Sequence, residues 1–249
     1  HAAAVLNKRV CAWIRDDDGY GTQSIAATST DLVPGAAGVV TLIDQFDDTV
    51  VAVDLGASQF NFYGQTFTGA GQLFVSSNGL LTFGSGTSVF ANSDLRSSPD
   101  QAAIAPLWDD WMTSQDANDQ VLAQFEDLNG DGVADRLIVE WNDVRGLEPP
   151  PPQGQSGASF QAILSLNTGT IPGDITFQYL DVTTGDSHDA GKSATVGIKD
   201  VGRPPAAPLL LSQDAASSLV GNGQAIRIGT GNLAAVTTIV QNVAPINPS

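Results

Sequence analysis

Between Asp127 and Asp135 the chain reads Asp127-Leu128-Asn129-Gly130-Asp131-Gly132-Val133-Ala134-Asp135, a D-x-N-x-D-G-x-x-D spacing. Short Asp and Asn side chains at alternate positions of a turn can converge on one centre, and Ca²⁺ is a hard cation that takes about six to eight oxygens. The spacing therefore nominates Asp127, Asn129, Asp131 and Asp135 as side-chain ligands of calcium, with the Val133 carbonyl as the backbone ligand. Gly132 permits the sharp turn. Strand-like runs at 121–126 and 136–141 flank the loop, so the ion would clamp a β-hairpin and not the helix pair of an EF-hand. The bidentate Glu that closes an EF-hand loop is absent. No water-activating base stands beside the loop in sequence, which makes the expected role structural and not catalytic.

Other groups with chemical potential are weaker. Asp16-Asp17-Asp18 and Asp109-Asp110 could each take a second cation, although solvated turn acids are the simpler expectation. As a glycosidase pair Asp109 and Asp110 are poorly suited, because adjacent strand residues face opposite ways. Ser187-His188-Asp189 are neighbours in sequence, which does not assemble a triad. A free amino-terminal His1 chelating copper through amine and ring, with His188 as a second ligand, would suggest a copper-dependent polysaccharide oxidase. Trp108, Trp111 and Trp141 would form a sugar-stacking platform if exposed, as in a carbohydrate-binding module, but core burial is the plainer use. No catalytic constellation emerges, and the reading is of a non-enzyme.

The charge balance points the same way. Against 10 Lys and Arg stand 27 Asp and Glu, a formal charge of −17, and only Glu126, Glu140 and Glu148 are Glu. Asp favours turns, caps and metal loops where Glu favours helices. Such a surface repels nucleic acid and anionic membranes and attracts cations. The lone Cys11 cannot form an internal disulfide and reads as a small buried hydrophobe. No apolar run reaches the ~18 residues of a membrane span, so no membrane insertion is expected. Residues 1–8 lack the basic-then-apolar order of a signal peptide, as a processed, secreted chain also would.

Holding these groups requires β-structure. Short apolar or alternating runs recur at 5–14, 50–55, 72–76, 80–83, 102–107, 121–126, 136–141, 159–166, 174–179, 194–198, 209–211, 225–228 and 233–243, separated by Gly, Asn, Asp and Pro. That pattern predicts an all-β, antiparallel β-sandwich with a calcium-loop β-hairpin, as one domain over 1–249. Asn78-Gly79 between two such runs predicts a hairpin with a type I′ turn, both central residues at positive φ. Pro149 to Pro152 cannot pair in a sheet and mark an exposed loop.

The middle of the chain resembles the nidogen-type extracellular (NIDO) domain. The similarity lies in Phe60-Asn61-Phe62-Tyr63-Gly64, in 73–84 around Ser76-Ser77-Asn78-Gly79, and in Ala103-Ile104-Ala105-Pro106-Leu107-Trp108-Asp109-Asp110. It continues through Val139-Glu140-Trp141-Asn142-Asp143-Val144, Ser159-Phe160-Gln161-Ala162-Ile163-Leu164 and Ile175-Thr176-Phe177-Gln178-Tyr179. It implies an extracellular module with a core over about 45–205 and no catalytic residues. The calcium loop and the two end segments fall outside it. The expected partners are extracellular-matrix or cell-surface components, or neighbouring copies of the chain itself. For the latter, 233–243 is β-branched and uncharged, without Pro or Gly, and suits strand addition to a neighbour in a head-to-tail filament.

Overall fold

The computed structural model describes residues 19–28, 31–115, 117–147, 156–201 and 208–230. Expectations that rest on His1, Cys11, Asp16 to Asp18, the strand-like run 5–14, Pro149 to Pro152 and the tail 233–243 lie outside the described residues.

Two antiparallel sheets carry the fold. The strands in chain order are β1 (Gly21–Ala26), β2 (Val39–Asp44), β3 (Val50–Val53), β4 (Gln59–Phe62), β5 (Gln65–Thr68), β6 (Leu73–Ser76), β7 (Leu80–Phe83) and β8 (Ala103–Trp108). There follow β9 (Trp111–Met112), β10 (Gln120–Glu126), β11 (Arg136–Gly146), β12 (Ala158–Ser165), β13 (Ile175–Asp181), β14 (Thr195–Lys199), β15 (Leu209–Gln213) and β16 (Gln224–Gly229). The larger sheet runs β1-β16-β13-β12-β11-β10-β2, with β9 on β11; the smaller runs β15-β14-β8-β7-β6-β3, and β4-β5 form a separate hairpin. The chain is an all-β, antiparallel sandwich.

Alternation decides which side chains meet between the sheets. Leu137, Val139 and Trp141 of β11, Phe160 of β12, and Phe177 and Tyr179 of β13 point inward and share one apolar cluster with Leu73, Val75, Leu81, Ile104 and Val196 of the smaller sheet. The Trp141 ring stacks on Phe160 with centroids 5.1 Å apart. Polar tips of the large aromatics tie the layers together. The Trp141 indole N–H donates to the Ser76 carbonyl at 2.9 Å, and the Tyr179 hydroxyl donates to the Pro106 carbonyl at 3.0 Å. Burying these N–H and O–H groups without partners would cost more than the rings gain from specific placement.

One turn differs from expectation. Ser76 pairs with Leu80, so the hairpin loop is the three residues Ser77, Asn78 and Gly79, and of the predicted pair only Gly79 has positive φ, at 71°. The type I′ arrangement stands instead at Tyr63-Gly64, a two-residue loop between β4 and β5 with φ of 47° and 73°. Tyr63 holds that unfavourable conformation with its ring against Tyr20, centroids 4.7 Å apart. At Gly79 the φ is only half of the constraint, because a Cβ there would lie 2.1 Å from the Leu107 carbonyl oxygen. The close approach brings the β6–β7 turn onto β8 and places Asn78 at the heart of the site described next.

Candidate metal centre

Glu126 pairs with Arg136 in the β10–β11 register, so the loop 127–135 closes the hairpin that the spacing predicts. An ion pair between Arg136 and Glu126 fixes its neck. Inside, the side chains curl onto the loop's own amides. Asp127 accepts from the N–H groups of Gly130 at 2.7 Å and Gly132 at 2.8 Å. Asn129 accepts from the Asp131 N–H at 2.9 Å, and Asp131 from the Val133 N–H at 2.8 Å. Asp135 accepts from the Leu128 N–H at 2.8 Å and from the Asn129 side-chain amide at 3.2 Å. The amides of Gly132 and Gly130 hold Asp127 below the usual carboxylate range, so it is fully ionised at neutral pH. The five nominated positions thus share one exposed turn whose shape is set by carboxylate–amide bonds. Each carboxylate oxygen has a second lone pair, and the donor set is all hard oxygen, as calcium requires.

A second acidic group forms only in three dimensions. One ligand oxygen each from Asp47, Asp48 and Asp110 lies within 4.8 Å of the others, an arrangement that could hold a metal ion. Asp47 and Asp48 sit on the β2–β3 connection and Asp110 between β8 and β9. Thr113 pins the first connection: its hydroxyl accepts from the Phe46 N–H at 3.0 Å, and its N–H donates to the Phe46 carbonyl at 2.9 Å. Asn78, buried completely, ties the two connections together. Its side-chain amide donates to Asp48 at 3.0 Å, while its side-chain oxygen accepts from the Trp111 N–H at 3.0 Å.

Within this group burial and mutual repulsion outweigh the relief that neighbours give. Burial, followed by the charges of Asp48, Asp47 and Asp109, pushes the Asp110 carboxyl up to about 6. One of its oxygens is buried with no hydrogen-bond partner. Burial and the neighbouring Asp48 raise Asp47 as well. The adjacent Asp109 goes elsewhere: it is buried, accepts from the Ser193 hydroxyl at 2.5 Å, and is raised chiefly by that burial. The Asp109-Asp110 pair singled out in the sequence is therefore split, and Asp110 alone joins a cluster. Asp47-Asp48 carried no signal beyond a pair of turn acids, since only the tertiary approach of two loops gives them a third partner.

The remaining nominations take structural places. Trp108, Trp111 and Trp141 are all completely buried, so they are core residues and form no sugar-stacking platform. His188 is buried with its ring 5.2 Å from that of Trp111 and its Nδ1 3.3 Å from Asp186; His1, its suggested copper partner, lies outside the described residues. No described helix is long and apolar enough to cross a membrane.

These observations define a class first: an antiparallel β-sandwich whose connections, and not its strands, carry the groups suited to cations. The chain belongs to the NIDO-related family, whose model matches residues 19–233. The match takes in β1 and β16 and so reaches well beyond the 45–205 core on which the resemblance rests. No curated protein and no solved structure matches the chain.

Proposed function

We propose that this protein is an extracellular, calcium-binding structural or adhesion module with no catalytic activity of its own. The observation that carries the reading is the loop 127–135, where Asp127, Asn129, Asp131 and Asp135 stand on the turn that closes a hairpin of the larger sheet. An ion there would neutralise ionised carboxylates and fasten β10 to β11, a stabilising role consistent with an exposed site that has no reactive group beside it. Membership of the NIDO-related family and the acidic surface support an extracellular place. Its partners in this reading are matrix or cell-surface components or further copies of the chain. The larger sheet ends on β1 and β2, and β1 carries no charged residue to blunt pairing with another strand.

Thermal unfolding tests the reading. A ligand that binds only the folded state stabilises it by about 2.7 kcal/mol at a hundred times its Kd, which for a chain of this size corresponds to a rise in Tm of roughly 5–10 °C. Calcium should raise the Tm by that order relative to excess chelator, and Asp131→Ala in calcium should melt like the chelated wild type. Coincident melting curves with calcium and with chelator would overturn the proposal.

A further inference from the structure

β1 and β2 stand at opposite edges of the larger sheet, and the described residues of the connection between them meet its outer face, away from the smaller sheet. They are held there by side chains of the sheet. The register aligns Glu140, Gln161 and Gln178 on adjacent strands β11, β12 and β13. They form a buried polar row: the Gln178 side-chain amide donates to Gln161 at 2.9 Å, and that of Gln161 donates to Glu140. The crossing chain caps both ends, with the Thr28 N–H donating to Gln178 at 2.6 Å and the Leu32 N–H donating to Glu140 at 2.9 Å. Leu32 also packs on Leu122, Ile138 and Ile163 of the sheet. Beside that contact a cleft of about 260 Å³ separates the segment from the sheet, lined in part by Val33, Ala36, Ile138 and Ile163.

Glu140 is the odd member of this row. It is completely buried, and its second carboxyl oxygen has no hydrogen-bond partner. The charged groups on the elements around it do not neutralise it. The crossing segment contributes Asp31, whose carboxyl lies within hydrogen-bonding reach of Glu140. Glu126 of β10 and Arg136 of β11 pair with each other, Arg145 further along β11 pairs with Asp143 and Asp119, and Arg227 of β16 pairs with Asp174. β12 and β13 present Gln161 and Gln178. A protonated Glu140 can donate to the Asp31 carboxylate and leave no orphan; an ionised one sets two negative charges against each other with one of them dry.

We propose that residues 31–38 form a pH-sensitive strap, latched to the outer face of the sheet by the Asp31–Glu140 carboxyl pair and released as Glu140 loses its proton. Burial pushes Glu140 up to about 8, opposed by the Gln161 amide and the Leu32 N–H and reinforced by Asp31; lifting the strap would remove that burial and Asp31 and let it fall toward the ordinary 4.5. Below the lower value both forms are protonated and closure is at its most stable. Between the two values the closed form must hold a proton that the open form releases, so the closed-to-open ratio falls about tenfold per pH unit. Above the upper value it levels off. Opening bares Leu122, Ile138 and Ile163. The latch does not depend on calcium and stands or falls separately from the proposed function.

Native-state hydrogen exchange resolves it, with rates corrected for intrinsic pH dependence. The protection factor of the Leu32 amide should fall by about tenfold per pH unit between about pH 5 and pH 8, while that of the Ile25 amide, which faces Ala225 across the β1–β16 ladder, does not follow it. Glu140→Gln, which keeps the acceptor and supplies a neutral donor to Asp31, should make Leu32 protection flat. Flat protection in the wild type, or an unchanged slope in Glu140→Gln, would overturn the latch. Should Glu140→Gln fail to fold, the carboxyl ¹³C titration of Glu140 in the wild type decides: a midpoint near 8 supports the latch and one near 4.5 refutes it.

Discussion

Asp110 shows how the tertiary meeting of two loops loads a single carboxyl. It is half-buried, stands beside Asp47 and Asp48, and keeps one oxygen without a partner. Its raised proton affinity means that ionisation costs the folded state, a cost fully incurred above about pH 6. Asp110→Asn preserves the shape and removes the charge, so in chelator at neutral pH the variant should melt higher than the wild type. The gain is modest because the site is partly solvated, about 1–3 °C. Saturating divalent cation should reverse the order if the three carboxylates share an ion, as the wild type gains a ligand that the variant cannot hold. A variant that melts below the wild type in chelator would show that the cluster is not under repulsion. Asn78 belongs to the same scale. As a turn residue it was legible from sequence, yet its completely buried side chain bridges Asp48 and the Trp111 backbone, a role that no local pattern discloses.

Among the elements, the strands that alternation exposes are those with a buried face. β6, β7, β8, β10, β12, β13 and β14 carry Leu, Ile, Val and aromatic residues in short runs, and each falls within a residue or two of where those runs place it; β11 starts with its run at Arg136 but continues to Gly146, where its end pairs with β9. The strands without such a signal sit at edges or in the small hairpin. β1 reads Gly-Thr-Gln-Ser-Ile-Ala, and its pairing with β16 comes from register, not from propensity. β2 stands at the opposite edge with much of its surface exposed, and β9 is two residues long. β4 and β5 alternate around Phe60, Phe62 and Phe67, but the Tyr63-Gly64 turn between them lacks the usual Asn or Asp at its first position. The hairpin that closes over 127–135 was legible because its spacing is local. The Asp47–Asp48–Asp110 cluster and the Glu140 row were not, since both depend on which strands become neighbours.

The molecule as a whole carries a formal charge of −17, and its acids are concentrated in the connections. Any cation the protein takes would therefore act at the joints of the fold, where a turn is closed or two loops meet, while the sandwich interior is held by apolar packing and by the Trp141 and Tyr179 bridges. Assembly belongs to this scale too. If 233–243 completes the sheet of a neighbouring copy, a chain truncated before residue 233 should remain folded and lose calcium-dependent polymerisation. If it unfolds, or if the full-length protein stays monomeric at high concentration with calcium, the filament reading fails.

The central claim is that the loop 127–135 binds calcium, and isothermal titration calorimetry of the chelator-stripped protein tests it most directly. The account predicts a saturable calcium-binding event that Asp131→Ala abolishes and that Asp110→Asn, on a different pair of connections, leaves in place. A titration that shows only heats of dilution, or a binding event that survives unchanged in Asp131→Ala, would contradict it.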